Sequence, residues 1–134
     1  MSRALHARRG AAAIETALIL PVLLTLFGGT VDTAWYLYQR NALVDAAQAA
    51  ARAGAVTGSQ AEFATDASAA AASRLTAEGV DPSLVTVTAE ESTGSTTMIT
   101  VTLTLPFSPV VGLVPLPESL SASASAHYEN TSAS

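Results

Sequence analysis

Arg8, Arg9 and Gly10 stand directly before Ala11-Ala12-Ala13-Ile14, and Glu15 follows. The chemistry such an arrangement allows is hydrolysis of one peptide bond, followed by an ion pair. A cut between Gly10 and Ala11 would give Ala11 a free ammonium and make Glu15 the fifth residue of the shortened chain. From Thr16 to Val31 no residue is charged. An acid at the mouth of a membrane-length apolar helix is costly and asks for a reason. A carboxylate buried among packed apolar helices needs a cationic partner. The Ala11 ammonium of a neighbouring, incoming copy could be that partner, which would set the axial register between copies. The plainer reading is a glutamate that snorkels to the headgroups from the membrane edge.

No other constellation suggests chemistry. The chain has no cysteine, so disulfides and thiolate metal sites are excluded. His6 lies among the first ten residues, which leaves His127 as the only histidine beyond them. A Ser-His-Asp or metal site around His127 would need partners that the sequence does not place. His127 is therefore expected to be simply exposed, and no enzyme activity, metal or cofactor is expected. Charge narrows the partners. Net charge is −5, but residues 1–10 carry three arginines and no acid, while the remainder carries three arginines against eleven acids, a net −8. An acidic body argues against nucleic-acid binding, which needs a basic footprint. The basic leader is instead a signal for the cytoplasmic side of a membrane.

Several elements must position these residues. Gly10 to Val31 is 22 residues with Glu15 as its sole charge, close to the ~20 needed to cross ~30 Å of hydrocarbon. Trp35, Tyr36 and Tyr38 follow and suit a membrane–water interface belt. With Arg8 and Arg9 on the other side, the N-terminus is expected in the cytoplasm and the rest outside. Asp32 to Ala53 contains no proline or glycine, so one helix is expected from about Ala11 to Ala53, roughly 65 Å long. Tyr36, Leu43, Ala47, Ala50 and Gly54 share one of its faces, with Gly54 and Gly58 as stops. Pro21 and Gly28-Gly29 could kink or loosen it. Ser59 with Glu62 forms a capping-box pattern. A second helix then runs to about Glu78, with Phe63, Ala67, Ala71 and Leu75 on its buried face and Gly79 ending it.

Beyond Pro82 the period changes to two. Val85–Thr88, Ile99–Leu105 and Ser119–Tyr128 alternate as strands should, with Glu90–Thr96 expected as a hairpin loop. In the third segment Leu120, Ala122, Ala124, Ala126 and Tyr128 oppose a face of serines and His127. The link from Pro106 to Pro117 holds four prolines and cannot be regular structure. Its Val110, Val111, Leu113, Val114 and Leu116 are expected to cover an open end of the core. The expected fold is α+β: a long N-terminal helix, a second short helix, and a three-stranded antiparallel sheet with one polar face. The expected layout is a leader at 1–10, a helix at 11–54 with its span at about 11–31, an extracytoplasmic domain at 59–130 and a frayed tail at 131–134.

The block RRGAAAIETALILPVLLTLFGGTVDTAWYLYQRNALVDAAQAAARAGA resembles the TadE-like family of pseudopilins, which serve tight-adherence (Tad) pilus machinery. The shared pattern is carried by Arg8, Arg9, Gly10, Glu15, Pro21, Gly29, Asp32, and the helix end Ala50-Ala51-Arg52-Ala53-Gly54. The C-terminal part is similar too: a Thr/Val strand ending in Pro106-Phe107, a Pro- and Leu-rich link, then Leu120-Ser121-Ala122-Ser123-Ala124. One departure is Thr16, where the family often has Phe. TadF-like subunits share the same pattern, so the member is left open.

The resemblance implies a minor pilin or pseudopilin of a type IVc pilus, held in the cytoplasmic membrane before assembly and acting in pilus biogenesis or adhesion. It implies cleavage at Gly10–Ala11 by a prepilin peptidase and a register role for Glu15. It also implies partners: TadF-like pseudopilins, a major Flp-type pilin and an inner-membrane assembly platform. Two other classes compete. One is an uncut, single-pass structural protein of the cell envelope. The other is a secreted protein with an ordinary signal peptide, but its h-region would be shorter and would not hold Glu15.

Overall fold

A computed structural model describes residues 2–56, 62–92 and 98–127, with side chains of the first helix from Ala13 onward. The architecture is the α+β one expected. Helix α1 runs Ser2–Val56, α2 runs Phe63–Ala77, and strands β1 Thr86–Ser92, β2 Met98–Pro106 and β3 Ser119–His127 follow. The expected cap at Ser59 and the ends of the chain from Tyr128 onward lie outside the described residues.

Two elements differ from the sequence expectation. Helix α1 starts in the leader, passes through Pro21 and the Gly28-Gly29 pair without a break, and continues through Gly54, expected as a stop, to Val56. Residues 2–9 are mostly Ala, Leu and Arg, good helix formers. The hydroxyls of Thr25, Thr30 and Thr33 each donate to the carbonyl four residues back, at 2.8 Å, so these side chains carry no open donor along an apolar stretch. The second difference is β1, which continues through Glu90, Glu91 and Ser92 where a loop was expected. Pairing overrides weak strand propensity there: Glu90 faces Thr100 and Glu91 faces Ile99 on β2.

The chain divides into two compact units. One is Met1–Trp35 with Pro109–Leu116, and the other is Tyr36–Ser108 with Pro117–Ser134. The second unit holds the sheet, in order β1-β2-β3, antiparallel throughout. Its register is the one the period-two pattern demands. Ile99, Val101, Leu103 and Leu105 are buried, and the threonines between them are half-exposed. Strand β3 turns Leu120 and Ala122 inward and its serines outward, and Thr100 Oγ1 meets Ser125 Oγ at 2.9 Å on the outer face.

Against the inner face lie small residues of α1 and α2: Ala42, Ala46, Ala47, Ala50, Ala67 and Ala71 are buried with Leu43 and Leu75. The expected stripe of α2 holds, with Phe63 only partly covered. Small residues let backbones approach. A Cβ on Gly54 would sit 3.4 Å from the Phe63 carbonyl oxygen and 3.6 Å from both Ala67 and Ile99. Helix α2 ends as glycine at C′ predicts: Gly79 takes φ +72°, and the Val80 N–H reaches back to the Leu75 carbonyl at 2.9 Å.

Candidate functional site

The first unit is built on an apolar helix with nothing of its own to cover it. Leu18 is 70 % exposed and Phe27 69 %, and every described residue from Ala13 to Phe27 is exposed. A water-soluble helix shows an apolar stripe against a polar face. This one is apolar all round, and it is the one helix among the described residues long and apolar enough to cross a membrane. Glu15 sits exposed within that apolar surface. Arg8, Arg9, Gly10 and Ala11 lie in the α1 backbone, and their side chains lie outside the described set.

At the other end of the stretch, the structure brings together residues that sequence reasoning did not connect. Asp32 is completely buried. Its carboxylate accepts the backbone N–H of Val111 at 2.7 Å, Gly112 at 2.9 Å and Leu113 at 3.0 Å. A carboxylate only accepts, so three converging donors suit it. Gly112 makes the convergence possible by taking φ +77°, which turns successive N–H groups toward one point, as in an anion-binding nest. One turn before Asp32, Gly28 and Gly29 let the loop come close. A Cβ on Gly28 would lie 2.6 Å from Leu113 Cδ1, and one on Gly29 would lie 3.1 Å from Val114 Cγ2.

The link was expected to cover an open end of the core. Val110, Val111 and Leu113 are instead 62 %, 50 % and 49 % exposed, Val114 and Leu116 are half-buried, and the segment groups with the first part of α1. The glycine pair followed by an acid was the available signal. It marked a helix face open to a backbone and carrying an acceptor, but not which backbone would come.

The aromatic residues expected at the interface are placed as follows. Trp35 and Tyr38 are exposed on α1, at 38 % and 45 %. Tyr36 packs edge-on against Phe107, with ring centroids 5.4 Å apart. The Tyr38 hydroxyl donates to the Glu78 carbonyl at the end of α2. His127 is exposed at the end of β3, and no cluster of three or more metal-binding side chains exists among the described residues.

A single helix long and apolar enough to cross a membrane, together with a small α+β domain, is consistent with a single-pass membrane-anchored protein. Residues 10–52 match the family described as TadE-like protein, a likeness to a structural, Tad pilus-associated family that covers this segment. No curated protein matches, and no solved structure matches.

Proposed function

We propose that this protein is a minor pilin or pseudopilin of a Tad pilus, anchored in the cytoplasmic membrane by one helix before assembly. The observation that carries the reading is the wholly exposed apolar surface from Ala13 to Phe27, within a segment that is TadE-like. In water such a surface would be a severe aggregation liability. In lipid, and later among the packed helices of neighbouring subunits, it is the required surface. The leader charges Arg8 and Arg9 keep the N-terminus cytoplasmic, and Trp35, Tyr36 and Tyr38 follow the span on the outer side. Its partners would be other pilins and pseudopilins, the prepilin peptidase and the inner-membrane assembly platform.

One experiment tests cleavage and topology together. Spheroplasts are treated with external protease, and the protected fragment is weighed by mass spectrometry. It should begin at Ala11 and have lost the domain beyond Asp32. A fragment that retains Arg8-Arg9-Gly10 would favour the uncut anchored protein, and full protection of the domain would reverse the topology.

Glu15 would then serve assembly and not folding, because the incoming subunit's Ala11 ammonium would be its partner. Glu15→Ala should leave the thermal stability of the sheet unchanged while lowering co-purification with partner pilins. Undiminished co-purification would sink the pairing role.

A further inference from the structure

The loop 109–116 has an unusual property for irregular backbone: three successive N–H groups end on one buried carboxylate. Pro109 and Pro115 have no N–H, and the N–H groups of Val111, Gly112 and Leu113 all end on Asp32. No charged residue occurs from Pro106 to Pro117. The side chains it shows outward are Val110, Val111 and Leu113. Loops that face water are normally rich in polar residues and hydrogen-bond it freely. Non-helical backbone is tolerated at membrane depth only where its polar groups find partners within the protein. This loop meets part of that condition, with a buried carboxylate as the acceptor for its three central N–H groups. It also belongs to the same compact unit as the exposed apolar helix, and it is held just where the uncharged stretch ends, at Asp32.

We propose that loop 109–116 is a second membrane contact, seated in the interfacial layer of the leaflet that receives the outer end of the span. Its partner is lipid, the glycerol and upper acyl region, and Asp32 makes the seat possible by taking up the loop's donors. The anchor thereby gains a lateral foot beside its helix, a contact that fixes the rotation of the helix about its axis as well as its depth. This proposal rests on the membrane-anchor reading above.

The absence of native cysteine permits a direct test. Single cysteines are placed at Val110, at Leu20 and at Thr102 in the full chain. Each is labelled with an environment-sensitive fluorophore and reconstituted into phosphatidylcholine vesicles. The vesicles carry a spin label either near the headgroup or near the acyl-chain end. The Leu20→Cys label should be quenched most by the deep spin label, and the Thr102→Cys label by neither. The Val110→Cys label should be quenched most by the shallow one. If Leu20→Cys behaves as stated and Val110→Cys matches Thr102→Cys, the foot is overturned and the anchor stands. If Leu20→Cys also escapes quenching, the anchor reading falls and the foot falls with it. A Val110→Cys label that is blue-shifted but unquenched by lipid would assign the loop to a neighbouring subunit and overturn the lipid assignment.

Discussion

Replacing Val101 with Asp should strongly destabilise the three-stranded sheet, whereas Thr102→Asp, one residue on, should be tolerated. Val101 is completely buried, on β2, the central strand. It faces Ala89 on one side and Ala124 on the other, so an aspartate there would have no cationic partner. An unpaired buried charge costs about 3–5 kcal/mol, set against a typical domain stability of about 5–15 kcal/mol. Thr102 faces Thr88 and Ser123 on the outer, polar side, where a carboxylate can keep its water. Thermal melts of the full chain in detergent, followed by the sheet signal, compare the two. Equal losses would mean that the sheet is covered on both faces, and the open-sheet arrangement would be wrong.

Asp32→Ala should release the loop while sparing the sheet. Three N–H donors lose their acceptor together, and hydrogen bonds to a charged group are the stronger kind. Amide exchange in the peptide covering 109–116 should quicken by on the order of ten- to a hundredfold, read by mass spectrometry on the full chain in micelles. Asp32→Asn should fall between, because one amide oxygen remains to accept while the amide nitrogen adds donors to a site already full of them. Unchanged exchange in Asp32→Ala would mean that the carboxylate does not hold the loop.

How much of this was legible in the sequence depended on the range of each interaction. The strict alternation from Ile99 to Leu105 fixed both the strand and its register, because a slip of one residue would expose four large side chains. Ser119 to Tyr128 looked like low complexity, yet over the described Ser119–His127 its phase was right: alanine inward is still apolar inward. The stripe of Leu43, Ala47, Ala50 and Gly54 was equally readable from its period. The outer half of β1 was not, since Glu90 and Glu91 have little strand preference and are held by partners on β2. Asp32 lay in the same blind spot. It stood out as the first acid beyond the apolar stretch, but its three donors lie 79 to 81 positions away. No local pattern reaches that far. The apolar surface from Ala13 to Phe27, with Glu15 as its one charge, was visible in composition at once, because it needs no fold to reveal it.

The distance along the chain between Asp32 and its donors also bears on which contact depends on which. Closing a flexible segment of that length costs configurational entropy that grows with the logarithm of its length. Most of that cost falls on the sheet. Once β2 and β3 zip up, Pro106 stands opposite Ser119, and the Phe107 N–H bonds the Glu118 carbonyl at 2.8 Å. The ends of the intervening stretch are then pinned, and its three prolines narrow what remains of its freedom. Dependence therefore runs one way. Fraying the outer end of the β2–β3 ladder should loosen the grip on Asp32, while losing that grip leaves the ladder intact. The sheet would hold without the loop's grip on Asp32, whereas that grip would draw on the sheet.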